Sequence, residues 1–404
     1  MQVSSAEVVA KLRASVAHHR LLAYLATAGA LLFFAIGSGI IHDYIAYLRQ
    51  WQSILGGANP WAPAKDSLGM IPRNAYGPIH ALFAPLVPIH PLMPKVVVAV
   101  MTLGICLLAF ALKTTRNAQC EAAAQLFWLY TLSPLVIITV FAFSNNDGMV
   151  GVLLLAACVF RLRGAYGWTG LFLGIAALLK FYPLLFAPFL ACARDGTLRL
   201  RILLTAGGIF ALGMILAWMR WGETIFIPFQ FGGDRGAKHL SILRFLSAVR
   251  EDLSIEPFVF YLLNINALMV VAVTVLIALW GWLTRQGWEI TSLLGILAVF
   301  MTYKVGHQQF YVSWIALYAF TIAASEDAKA VAVARAFTPF AAFVGAYQVL
   351  YFGTYLLTGA YFRGPFVYFR IFGSLVLLGI VVWCLYRAHP SLRRQPGAPI
   401  SLRL

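Results

Sequence analysis

Charge is scarce in this chain, and negative charge is scarcest. Charged residues make up 11% of the 404, with 14 Asp and Glu against 30 Lys and Arg. A soluble domain is about 25% charged. With 61% of the residues hydrophobic, no water-soluble core could hide so much apolar surface, so lipid must act as the solvent. Length therefore reads as one membrane bundle with long loops, not as a count of soluble domains. Cysteine is sparse too. The five are Cys106, Cys120, Cys158, Cys192 and Cys384. None lies in the polar loops and none forms C-x-x-C, which argues against a disulfide framework or a zinc site. There is no Ser-His-Asp ordering, no H-E-x-x-H, no Walker loop and no dinucleotide glycine pattern. Nucleotide-sugar use on the cytoplasmic face is therefore unsupported. No internal repeat, low-complexity tract or soluble domain interrupts the chain.

What is present is apolar, aromatic and basic. Aromatics reach 14% and the formal net charge is +16. Trp and Tyr suit membrane interfaces, and Lys and Arg gather in cytoplasmic loops as topology signals. Apolar runs begin near Leu21, Val96, Ala122, Val150, Ile202, Phe258, Thr291, Phe310, Phe337 and Phe366. Lys11, Arg13 and Arg20 precede the first run, which at about 20 residues is too long for a signal-peptide core and reads as a retained helix. Between Gly167 and Ala193 the run is too long for one span and too short for two, and Arg161 and Arg163 before it match Arg194, Arg199 and Arg201 after it. If both clusters are cytoplasmic, the chain goes up and returns, with Lys180, Tyr182 and Pro183 near the tip of a short re-entrant hairpin. One long kinked helix is the competing shape. The hairpin gives an all-α polytopic membrane protein of about 12 crossings, with both termini inside. The expected layout is a cytoplasmic N-terminus over 1–20, one transmembrane domain over 21–386 and a cytoplasmic tail over 387–404. Two long external loops cover about 42–94 and 220–257. Ile45, Leu48, Trp51, Ile54 and Leu55 recur at helical spacing, as in an interfacial helix.

Four polar constellations fall on the external side. HDYIAYLRQW follows the first helix and places Asp43 at the membrane face, as a helix cap worth about 1 kcal/mol or as an acid/base. SNNDG, Ser144 to Gly148, is a turn between apolar helices; Asn146 and Asp147 suit a tight turn and cap as well as a site. GGDRGAKHLSILRFL carries Asp234, Arg235, Lys238, His239, Ser241 and Arg244 where topology does not ask for positive charge. Glycines with Lys, His and Arg suit a phosphate; a solvated loop face or headgroup contact is the plainer reading. YKVGHQQFYVSW sets Lys304, His307, Gln308 and Gln309 into apolar sequence, where ionisable groups are costly and commonly functional, unless Lys304 snorkels to the headgroups.

Taken in order, these segments resemble a known superfamily. HDYIAYLRQW, GGANPW and NAYGPIHALFAPL are similar to the first external loop of GT-C glycosyltransferases, most of all glycosyltransferase family 87, the bacterial polyprenyl-phosphate-mannose-dependent mannosyltransferases. GLFLGIAALLKFYPLLFAPFL resembles that family's G-x-x-x-G-x-A-x-x-x-K-x-Y-P hairpin. AKHLSILRFL and KVGHQQFYVSW resemble segments of the glycosylphosphatidylinositol first-mannose transferase. The resemblance implies a GT-C bundle with interfacial helices in its first external loop. It implies an inverting transferase that moves a sugar, mannose by the likeness, from a polyprenyl-phosphate donor to a lipid-linked or glycan hydroxyl. The site would face the periplasm of a bacterial inner membrane. Asp43 would be the catalytic residue. Lys180, Lys238, His239, Arg244, Lys304 and His307 would handle the donor phosphate and lipid, and His42, Tyr47, Tyr76, Asn146, Asp147 and Gln308 the sugar or acceptor. Where the glycosylphosphatidylinositol enzymes carry Asp-x-Asp, this chain has Ile41-His42-Asp43, so no divalent metal is expected. No nucleic-acid partner is expected. A transporter or lipid flippase is the alternative, although such proteins tend to show repeats and mid-membrane breaks; a non-catalytic assembly subunit is a third.

Overall fold

The computed structural model describes residues 22–41, 43–105, 116–362, 366–392 and 401–403. Four of its helices are long and apolar enough to cross a membrane: Leu200–Gln230, Asn266–Thr284, Thr338–Thr358 and Val367–Leu392. A fifth span is possible if Ala118–Thr131 and Pro134–Ala142, bent by 58°, count as one. The bend sits where Pro134 removes an amide donor. Against the twelve crossings expected, the other apolar helices are short, 10–17 residues, where a span needs about 20. Val367–Leu392 runs on through 387–392, so that part of the expected tail is helix.

The outer helices show Leu204, Leu212, Leu268, Leu276 and Val376 on the surface, an apolar exterior that lipid tolerates and water does not. They wrap a core of Asp147–Leu162, Trp288–Thr302 and Tyr311–Ala324, each buried over nearly its whole length.

One end of the bundle collects the basic loops. Buried Arg161 donates to the carbonyls of Leu190 (2.7 Å) and Cys192 (2.9 Å). Trp282 Nε1 donates to Gly196 O at 2.9 Å, and Gln286 Nε2 to Leu392 O at 2.9 Å; Arg194 pairs with Asp327. The chain from Arg161 therefore runs away along Tyr166–Leu179, reverses at Lys180, turns through Tyr182–Phe186 and returns along Ala187–Ala191. The opposite end holds the first long loop, the 144–147 turn, the Lys180 reversal and the two segments at 235–241 and 303–309.

Candidate active site

The Asp43 helix, Asp43–Leu55, buries Tyr44, Tyr47, Gln50 and Trp51. Of the residues expected on one interfacial face, Ile45 and Leu55 are exposed, Leu48 and Ile54 are half-buried and Trp51 is buried in the protein. Helical spacing puts Tyr44, Tyr47 and Trp51 on a common face, and aromatic area carried them inward. Asp43 opens this helix, so its carboxylate meets the positive end of the helix dipole. Its charge reaches the hydroxyls of Tyr47, Tyr76 and Tyr361. Burial first, then Tyr76 and Asp43, push the Tyr47 hydroxyl well above its ordinary value. Burial, then Asp43, do the same to Tyr76. The two hydroxyls are in hydrogen-bond contact, with rings 5.1 Å apart. Tyr361 stacks on Tyr351 at 4.3 Å.

His80 lies under this pair, its ring 4.9 Å from Tyr76, 5.2 Å from Tyr47 and 5.0 Å from Trp51. Gln50 Nε2 donates to Pro72 O (2.9 Å), so Gln50 Oε1 must accept from His80 Nε2 (3.1 Å). Asn146 Nδ2 then donates to His80 Nδ1 at 2.9 Å. The network fixes the neutral Nε2–H tautomer. Burial, with a smaller push from the Lys180 charge, takes the imidazole down to about 3. Sequence reasoning missed His80 and Gln50, although the i, i+4 spacing of Tyr76 and His80 was there to read.

Gly77 seats the first loop on the Lys180 reversal. Its amide donates to Leu179 O (3.0 Å), and a Cβ there would lie 2.2 Å from Leu178 O. Lys180 Nζ donates to Asp147 Oδ2 at 2.6 Å; both side chains are buried. Tyr182 donates to Asp147 Oδ1 (2.8 Å), and the Lys180 ammonium sits 5.0 Å from the rings of both Tyr76 and Phe310. Next to them Asn145 Nδ2 donates to Gln309 Oε1 at 2.5 Å. Gln308 is buried, and its Oε1 has no partner among the described residues.

The remaining wall is a short parallel pairing of Lys238–His239 with Val305–Gly306. Ser241 caps the following helix by accepting from Leu243 N. The His239 ring lies 4.3 Å from His307 and 5.3 Å from Tyr351. Lys304, expected on a donor phosphate, instead gives its ammonium to Gly233 O (2.5 Å) and Leu263 O (3.3 Å). Both carbonyls lie in the last turns of Ile227–Asp234 and Glu256–Asn264, where helix acceptors are unsatisfied. Lys238 is exposed; partial burial first, then the charges of Arg370, Arg235 and Arg244, lower its ammonium. Those four cations share one field. Arg370 escaped the sequence reading because it is a lone cation inside an apolar helix. Arg244 is half-buried, and its Nε has no partner among the described residues. His42 lies outside the described residues.

Compared with known proteins, residues 74–302, more than half of the chain, match the sequence profile of glycosyltransferase family 87. The chain belongs to glycosyltransferase family 87. Within the family match lie Tyr76, His80, Asn146, Asp147, Lys180, Lys238, His239 and Arg244; Asp43, Lys304, His307 and Arg370 fall outside it. The fold is similar to that of ArnT from Cupriavidus metallidurans, crystallised with undecaprenyl phosphate. The TM-score is 0.51 at 14% identity, over 92% of this chain and 77% of that one. At that identity the likeness to ArnT concerns the fold alone. Among curated proteins no sequence matches this chain.

Proposed function

We propose that this family 87 chain transfers a sugar, mannose by the resemblance, from a polyprenyl-phosphate donor to a hydroxyl of a lipid-linked or glycan acceptor, with inversion. One observation carries the reading: Tyr47, on the helix that Asp43 opens, meets the Tyr76 hydroxyl, and the Lys180 ammonium sits 5.0 Å from the Tyr76 ring, so the acid-bearing helix and a buried cation share one aromatic floor. Asp43 takes the proton of the acceptor hydroxyl as its oxygen attacks the anomeric carbon. The bond from that carbon to the phosphate oxygen breaks, and its electron pair leaves on the polyprenyl phosphate. Arg235, Lys238, Arg244 and Arg370 stabilise that charge without protonating it. Tyr47 and Tyr76, held as hydroxyls, orient the sugar. His239 and His307 extend the wall, whereas Lys304 and Lys180 act through the elements they pin. We read the reaction as independent of divalent metal, so turnover persists in EDTA. The basic loops at the other end of the bundle support a periplasmic site, cytoplasmic termini and a bacterial inner membrane.

The test is a transfer assay on purified protein with radiolabelled polyprenyl-phosphate mannose and other polyprenyl-phosphate sugars. Asp43→Asn keeps shape and capping, since Asn caps about as well as Asp. It removes the base, so transfer falls by about two orders of magnitude or more while the protein stays folded. A folded Asp43→Asn variant with near-normal transfer would overturn the assignment. Movement of the intact donor lipid across vesicles, with no sugar transferred, would favour a flippase.

A further inference from the structure

The geometry points to a second sugar subsite, for a neutral pyranose ring of the acceptor, across the Tyr76 backbone from the candidate active site. The first long loop folds over the Asp43 helix and encloses a cavity of about 100 Å³. One water needs about 10–15 Å³ by such a measure, so there is room for several waters, or for a sugar ring in their place. The cavity is walled by Gln50, Pro60, Trp61, Pro63, Pro72 and Asn74, among others. Its outer rim is strapped down: Arg49 Nε and Nη2 donate to Asp66 at 2.6 and 2.5 Å, which pins the Lys65–Asp66/Gly69–Met70 hairpin to the Asp43 helix.

The wall combines proline carbonyls with one buried donor that has no partner among the described residues. Pro60, Pro63 and Pro72 contribute carbonyls and no N–H. Among the polar residues of the lining, Asn74 is only 2% exposed. Its Oδ1 accepts from Tyr76 N at 2.9 Å, while its Nδ2 has no partner among the described residues. A buried amide without a partner is costly and calls for an occupant. A polyol satisfies both needs, donating hydroxyls to the carbonyls and accepting from Asn74. Trp61 supplies an apolar wall, and the rigid prolines keep the cavity formed before a ligand arrives.

The cavity also shares a wall with the candidate active site. Trp61 Nε1 donates to Tyr76 O at 2.8 Å, so Asn74 and Trp61 between them hold both backbone polar groups of Tyr76. Gln50 turns its other end to His80. A ring seated here shares the Tyr76 wall with the site in which Asp43 would deprotonate the acceptor, which suits an acceptor with more than one sugar. The assignment of this ring to an acceptor rests on the glycosyl-transfer reading; the binding of the ring itself does not.

The experiment is a titration of the full-length protein in lipid nanodiscs with methyl α-D-mannopyranoside, and with the matching glucoside and galactoside, followed by saturation-transfer NMR. Wild type and Asp43→Asn should bind one of the three saturably and alike. Asn74→Asp keeps an acceptor for Tyr76 N and puts a carboxylate where the free N–H donor was, so affinity should drop about tenfold or more. Ala64→Trp, which fills the cavity from its half-buried rim, should abolish binding whether or not the Asn74 variant folds. No saturable binding of any hexoside, or unchanged binding in Ala64→Trp, would overturn the subsite. If Asp43→Asn transfers normally while hexoside binding behaves as expected, the catalytic reading falls and the subsite stands.

Discussion

His80 makes one hydrogen bond through each ring nitrogen, and the two have opposite sense: it accepts from Asn146 and donates to Gln50. Protonation would put two donors face to face at Nδ1 and a charge in a fully buried position beside the Lys180 ammonium. The folded imidazole titrates near 3, against 6.5 when free. Below pH 6.5 the unfolded chain therefore binds a proton that the folded chain refuses. Stability from this group is intact above that pH and is lost as pH falls toward 3, by an amount on the order of several kcal/mol at the acid end. The melting temperature should fall from pH 7 to pH 4, and His80→Gln should flatten that slope; an unchanged slope removes His80 as the acid-sensitive group. Arg370 makes a different prediction. In the proposed reaction it acts on the donor phosphate, and on that reading Arg370→Gln should raise the donor KM about tenfold or more, the size of a lost charged hydrogen bond. Its acceptor KM should hold. A fall in kcat alone would place Arg370 in the chemistry instead of donor binding.

At the scale of elements, the Lys180 reversal and the first loop lock through a glycine. At Gly77 the obstructing atom is the Leu178 carbonyl, 2.2 Å from an added Cβ, and backbone cannot rotate away as a side chain can. Gly77→Ala should cost about 1–3 kcal/mol and shift Tyr76, lowering both melting temperature and transfer. Gly207→Ala, on Leu200–Trp221 with nothing within 4 Å, should be neutral or stabilising; equal losses in both would sink the close-approach argument. The reversal itself was legible from sequence because matched Arg clusters flank an apolar run of awkward length, and charge placement is a one-dimensional signal. The partners at its tip were not. Asn146 meets His80 across 66 residues, and Asn145 meets Gln309 across 164; no periodicity encodes such pairs, which depend on how helices stack. Lys304 shows the same dependence on packing. A cation in apolar sequence reads as functional, but the carbonyl ends of two helices can absorb it, and only their packing shows that. Asp43 was legible as a site candidate from position and resemblance, whereas the aromatic wall it faces needed Tyr361, over 300 residues away.

Over the whole molecule, the net charge of +16 divides between two ends with different work. At one end Arg161, Arg194 and Arg199 have local partners: carbonyls, Asp327, Asp195 and aromatic rings. Those are the clusters that topology demands on the cytoplasmic side. At the other end partial burial first, then the charges of Arg370, Arg235 and Arg244, lower the Lys238 ammonium, and the repulsive part is one that topology does not require and that an anion would relieve. If the first end faces the cytoplasm, the second faces the periplasm and can receive only donors presented there. The orientation is measurable with single cysteines in a background lacking the five native ones. Ser67 and Ala328 are exposed at opposite ends of the bundle. On intact spheroplasts a membrane-impermeant maleimide should label Ser67→Cys and spare Ala328→Cys, and permeabilisation should expose the latter. Labelling of both from outside would mean that the ends do not lie across a membrane from each other. The reverse pattern would turn the site toward the cytoplasm, where the acceptor and donor would have to be met before export.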